Sequence, residues 1–227
     1  MSVEPTGEPL LELIRVMNTL RSPGGCPWDA EQTHRSLVEY LIEESYEAVE
    51  AIELDDRVAL REELGDVLLQ VVFHSRIAEE SAEAPFSIDD VAQGIVDKLL
   101  SRHPHVFGDD TADSAAHVES TWQAMKAVEK GRESVTDGVP DALPALRLAA
   151  KLTRRARHGG LDVPVATEQV RNEAQVALDS LGDDEFGGYL LALVEAADKR
   201  GVDAEAALRV AVREQRARIR AAEGLSD

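Results

Sequence analysis

Apolar residues recur every three or four positions along most of this chain. In one stretch they fall at Leu60, Leu64, Val67, Leu68, Val71 and Val72. That is the spacing of a single helix face, and it predicts a helix over 57–80. The same period predicts helices over 10–20, 34–54, 88–102, 115–130 (carrying Trp122), 142–157, 165–180, 184–200 and 203–222. The breaks between them have local causes. "RSPGGCPWDAEQT" interrupts the pattern with two prolines and two glycines, and Thr33 or Ser36 can cap the helix that follows. "LDDR" is a short link, so the helices on either side are antiparallel neighbours. Ser87 stands three residues before Asp90, a capping-box arrangement, and Pro104 stops the helix that Ser87 begins. No stretch alternates as a strand does. The fold class is therefore all-α, an antiparallel helix bundle. "ESVTDGVPDALP" is the clearest boundary, dividing the chain into a first domain, 1–135, and a second helical region, 136–227.

Composition narrows the function. The 227 residues hold 44% hydrophobic and only 4% aromatic positions, a mixture that favours helices. A formal charge of −20 disfavours a nucleic-acid-binding surface, which needs clustered Lys and Arg, and no nucleic-acid partner is expected. It leaves room for a small phosphorylated ligand bridged to acidic protein by a metal ion. The single cysteine, Cys26, reads as a reduced thiol. The N-terminus has no basic-then-apolar leader, and no apolar run approaches the ~20 residues that span a bilayer. A soluble, cytoplasmic protein with no membrane partner is expected.

Against that background the acids of "LIEESYEAVEAIELDDRVALREELGDVLLQVVFHSR" stand out, because they share helices with an apolar seam. Glu44 and Glu47 are three apart, and so are Glu63 and Asp66. Residues at that spacing project from nearly one face of a helix. Two antiparallel helices would bring both pairs into one patch. Like charges so close repel one another, and a hard divalent cation relieves the repulsion. Oxygen ligands suit Mg²⁺ or Mn²⁺. Gly65, in mid-helix, is expected to let the facing helix approach closely. Solvated acidic helices are common, so the pairs alone do not make a site.

Lys98 and Arg102 lie four apart on the helix over 88–102 and share a face, an arrangement that suits an anion or two ordinary surface cations. Trp28 and Trp122 could stack on a base, with core packing the default. His74 reads as a core or interface residue. His103 and His105 flank Pro104 in a turn, where hydrogen bonding is expected before metal binding.

The pattern Glu43-Glu44-x-x-Glu47, then Glu63-x-x-Asp66, resembles that of the MazG nucleoside triphosphate pyrophosphohydrolases. "GGCPWDAEQTHRSL", "EELGDVLLQVVFHSRIAEE" and "KLLSRHPHVFGD" are similar to bacterial members over residues 8–131. The resemblance implies a MazG-type helical bundle that is dimeric and Mg²⁺-dependent. It implies cleavage between the α- and β-phosphates of nucleoside triphosphates, giving a monophosphate and pyrophosphate, in nucleotide-pool house-cleaning. It makes Glu44, Glu47, Glu63 and Asp66 the metal ligands and places Lys98 and Arg102 at the triphosphate. Glu43 is the candidate to orient or deprotonate the attacking water, although it sits about 100° round the helix from Glu44.

The second half echoes the first. "RNEAQVAL" parallels "IEESYEAV", and "DDEFGGYLLALVEAADKRG" parallels the acidic helix. Glu173 then aligns with Glu44 and Glu185 with Glu63, while Val176 and Gly188 replace the other two carboxylates. Two carboxylates are too few oxygens for a hard cation, so this region is expected to be metal-dead. Two other readings stay open: a non-catalytic helical interaction module, and a narrower hydrolase for one modified nucleotide or phosphoribosyl-ATP.

Overall fold

The computed structural model describes residues 6–108, 111, 114, 118, 125, 131–182 and 184–225. Trp122, and nearly all of the helix expected over 115–130, lie outside them. The described residues form helices and no strands, so the all-α expectation holds. Packing divides the chain into two compact units, residues 1–112 and 113–227.

The first unit contains α1 (Glu8–Arg21), α2 (Pro27–Glu31), α3 (Val38–Glu53), α4 (Arg57–Glu79), α5 (Ile88–Arg102) and α6 (Pro104–Phe107). Its core is Met17 of α1, Leu37, and Val72 and Phe73 of α4, with Tyr40, Leu69 and Ile88 packed around them. α1 ends at a glycine turn. Gly24 has φ +88°, and a Cβ on Gly25 would lie 2.3 Å from the Leu20 carbonyl oxygen, so both positions demand glycine. α3 starts later than the apolar period predicts. Thr33 and Ser36 cap the turn before it instead: the Thr33 amide donates to Ser36 Oγ (3.0 Å) and the Ser36 amide to Thr33 Oγ1 (3.1 Å). Asp56 caps α4 by accepting from the amides of Val58 and Ala59. Ser87 and Asp90 form the expected capping box on α5. The link between α3 and α4 is short, and contacts pair residue 34 with 74 and 44 with 63 and 66, so the two helices are antiparallel.

A buried arginine fastens α1 and α2 to α4. The Arg21 side chain, 3% exposed, donates from Nε and Nη2 to the Glu80 carboxylate (3.0 and 2.8 Å). Its Nη1 donates to the Asp29 and Gln32 carbonyls, and its guanidinium lies over the Phe73 ring. Arg76 reaches the same carboxylate at 2.9 Å and Asn18 Oδ1 at 2.9 Å.

The second unit contains α7 (Ala145–His158), α8 (Glu168–Asp179), α9 (Phe186–Asp198) and α10 (Ala204–Ala222). Leu148, Leu152 and Ala156 of α7 pack on Val212 and Ile219 of α10. The Ala145 amide donates to Glu205 at the start of α10, while Arg155 and Arg220, near the two far ends, both donate to Asp137. α7 and α10 therefore run parallel. Ser134 and Val135 belong to this unit, since both donate to the Glu223 carboxylate. The helices that echo α3 and α4 are α8 and α9, and neither contains a buried residue. Among the described residues, no helix is long and apolar enough to cross a membrane.

Candidate functional site

Asp56 starts α4 so that its first turns run beside the middle of α3. Glu44 leaves α3 on the side that carries the buried Ala48 and Ala51. Glu63 and Asp66 leave α4 three residues apart. Carboxylate oxygens of Glu44, Glu63 and Asp66 lie within 4.8 Å of one another, and all three residues are half-buried. Among the described residues this is the one grouping of His, Cys, Asp or Glu with such spacing.

Electrostatics show the strain of that arrangement. The Glu44 carboxyl is held above its ordinary value by partial desolvation, then by the charges of Asp66, Glu47, Glu63 and Glu43. Glu63 is raised by desolvation, then by Glu47, Asp66 and Glu62, and by a hydrogen bond shared with Glu47. Glu47 itself is exposed and reaches the group through Glu63. Every charge pressing on Glu44 and Glu63 is negative. The donor set is hard oxygen, partly desolvated and mutually repelling, and it fits a divalent cation.

The other predicted residues are placed differently. Glu43 is exposed and is the weakest of the charges acting on Glu44. Lys98 and Arg102 lie on α5, whose first residue, Ile88, packs on the core while Val91, Ile95, Leu99 and Leu100 remain exposed. Neither cation figures among the charges that act on Glu44 or Glu63. Gly65 is not what brings α3 close, because a Cβ there would meet nothing within 4 Å. Trp28 is 51% exposed, not core, with an edge-on contact to Tyr40. His103 uses Nδ1 on the Leu99 carbonyl oxygen at 2.7 Å, the turn role expected of it. In the second unit Glu173 accepts from the Gln169 side chain and Glu185 from the Gly182 amide.

Two features escaped the sequence reading. His34 and His74 bring their Nδ1 atoms to 2.8 Å, one donating and one accepting, with the rings nearly parallel. Burial, then His34, holds His74 below the usual imidazole value. Gln70, one turn beyond Asp66, is 5% exposed. A distance of 40 residues hid the histidine pair. Gln70 was hidden by its neighbours in "VLLQVV", which read as plain core.

Comparison with known proteins agrees with this geometry. Residues 32–107, which contain all four acidic positions, match the MazG nucleotide pyrophosphohydrolase domain. The chain is 42% identical to the nucleoside triphosphate pyrophosphohydrolase/pyrophosphatase MazG of Thermotoga maritima, over 89% of this chain and 80% of that one. It is 39% identical to the nucleoside triphosphate pyrophosphohydrolase of Escherichia coli, over 88% and 81%. It is 51% identical to an uncharacterized 26.1 kDa protein in the blaB 3′ region of Streptomyces cacaoi, over 98% and 86%. With the acidic helix hairpin in place and similarity running through both units, the chain belongs to the MazG family of nucleotide pyrophosphohydrolases.

Proposed function

We propose that this protein is a Mg²⁺-dependent nucleoside triphosphate pyrophosphohydrolase that cleaves (d)NTPs between the α- and β-phosphates. The observation that carries this reading is the convergence of Glu44, Glu63 and Asp66 within 4.8 Å on two antiparallel helices. Glu44, Glu63 and Asp66 hold the ion, with Glu47 completing the set, and Mn²⁺ substitutes for Mg²⁺. When bound, the ion neutralises phosphate charge and lowers the pKa of a coordinated water. Water adds to one phosphorus of the α–β anhydride, and the bridging oxygen leaves with the other. A (d)NMP and pyrophosphate result. Glu43 orients the water or takes its proton. Lys98 and Arg102 bind the triphosphate through charge-assisted hydrogen bonds.

In this reading the first unit is the catalytic domain, and the second, which takes in Ser134 and Val135 and so begins before the boundary expected at 136, is a MazG-like region without a metal site. The protein works as a homodimer. Val91, Ile95 and Leu99 make an exposed stripe on α5 that a second chain would cover. It acts in the cytoplasm on nucleotide pools, with neither nucleic acid nor membrane as partner. Product analysis on the eight common nucleotides, with and without Mg²⁺, tests the proposal. Magnesium-dependent release of pyrophosphate and monophosphate supports it. Release of orthophosphate, or no turnover, refutes it. Turnover of a single modified nucleotide would favour the narrower hydrolase.

A further inference from the structure

The α4 face that meets α3 carries Glu63, Asp66, Gln70 and His74 at spacings of three, four and four. The carboxylates occupy its first half. Gln70 follows one turn later, and the next turn brings the apolar core at Phe73. Gln70 is 5% exposed, and its Oε1 is sealed from solvent with no hydrogen-bond partner. A buried amide oxygen without a donor destabilises a fold, and a leucine here would fill similar space without that penalty. Helical side chains lean toward the N-terminus, so Gln70 lies back over the turn that holds Asp66. That lean puts its unpartnered oxygen on the side of the helix that carries the carboxylates.

An amide oxygen only accepts. A phosphate oxygen offers it nothing, because two acceptors repel. What suits it is an O–H donor beside the carboxylates, and the hydration water of a cation is such a donor. Mg²⁺ keeps several waters when carboxylates bind it. We infer that Gln70 is a positioning residue of the metal site, accepting a hydrogen bond through Oε1 from water in the hydration sphere of an ion held by Glu44, Glu63 and Asp66. The inference rests on the metal reading proposed above and adds a residue to it. It explains why a polar side chain stands between an acidic cluster and an aromatic core. Its role is to fix the ion's water shell from the inner side, where solvent cannot.

The test uses the full-length protein without nucleotide, with Mn²⁺ as the probe. Free Mn²⁺ is measured by electron paramagnetic resonance, and melting of the metal-free protein by circular dichroism. Partners of this kind change metal affinity by about 10–100-fold when removed. Gln70→Leu should weaken Mn²⁺ binding by at least about tenfold while the metal-free melting temperature holds or rises. Gln70→Glu restores an acceptor oxygen and should bind Mn²⁺ as tightly as wild type or more tightly. Should Gln70→Leu fail to fold, Gln70→Met makes the same comparison. A purely structural Gln70, paired in solution with His74 for example, predicts the opposite: unchanged Mn²⁺ affinity and a lower melting temperature in Gln70→Leu. That result overturns the inference, as does equal loss of affinity in Gln70→Leu and Gln70→Glu. Asp66→Asn separates the two levels. Loss of Mn²⁺ in Asp66→Asn with retention in Gln70→Leu removes Gln70 alone, whereas retention in Asp66→Asn removes the metal reading itself.

Discussion

Glu80→Ala tests the tie that holds α1 and α2 against α4. The substitution removes two hydrogen bonds from Arg21 and one from Arg76, and leaves the Arg21 guanidinium where its side chain is 3% exposed. Breaking a fully buried ion pair by removing one partner costs about 3–5 kcal/mol. Here the Glu80 side chain is 40% exposed, so solvent screens the pair and the full figure does not apply. Arg21 also keeps two backbone carbonyl acceptors. The expected loss is therefore about 2 kcal/mol. Urea denaturation followed by circular dichroism at neutral pH measures it. The pH dependence is a second check. Hydrogen bonding from Arg21, then the charges of Arg21 and Arg76, hold the Glu80 carboxyl below its ordinary value, against the effect of burial. A depressed carboxyl contributes stability that is present above the ordinary carboxylate range and is lost as pH falls through the folded-state value. Wild type and variant should thus differ at neutral pH and converge in acid. A difference under about 0.5 kcal/mol at neutral pH, the scale of an ordinary surface change, would refute the reasoning, and so would a gap that persists in acid.

Replacing Glu47 or Asp66 with Ala should abolish turnover, leave the helical circular dichroism intact, and hold or raise the melting temperature of the metal-free protein, since a repelling charge is gone. Pyrophosphate release and a thermal melt on one sample check both halves of that statement. Lys98→Ala and Arg102→Ala should each lower kcat/KM by about one to two decades, with Mn²⁺ affinity in the absence of nucleotide unchanged. A collapse of Mn²⁺ affinity would make them supports of the fold instead. Glu173→Ala and Glu185→Ala should leave kcat and stability close to wild type, because both residues are exposed and the region lacks the other two carboxylates. Steady-state kinetics and a melt decide it, and loss of hydrolysis in a folded variant would place a working site in the second unit.

Long periodic segments were legible in the sequence because a helix of several turns repeats its signal. The pattern over 57–80 became Arg57–Glu79, and the one over 88–102 became Ile88–Arg102 with its Ser87 cap. Pro27–Glu31 and Pro104–Phe107 were not legible, since a helix of one turn has no period to detect. The delayed start of α3 came from reciprocal side-chain caps, which hold a turn outside the helix that the apolar spacing implied. At the site, spacing announced the two carboxylate pairs, because residues three apart on a helix must share a side. It could not weigh Glu47, which touches the group through Glu63 while three other oxygens converge. Nor could it join His34 to His74, whose meeting depends on how α3 and α4 cross.

The close approach of α3 and α4 has a cause other than the one mid-helix glycine suggested. Gly65 opens onto free space, so a side chain there would not separate the helices. The small residues that matter are Ala48 and Ala51, 8% and 4% exposed on α3. At about 100° per residue, both lie within about 40° of Glu44 around the helix axis, on the side that faces α4. The distance between packed helices is set by the side chains at their contact, and alanine permits the short end of the range. Bulkier residues at these two positions would hold α4 away, and Glu44 would then face Glu63 and Asp66 across too wide a gap for one ion. The apolar seam and the acids are thus parts of one device. Packing the seam forces carboxylates together against their mutual repulsion, and in the proposed reading a cation that relieves the repulsion would be bound with part of the energy that folding has stored there. Acids crowd beside the buried face because only a buried face can hold them so close.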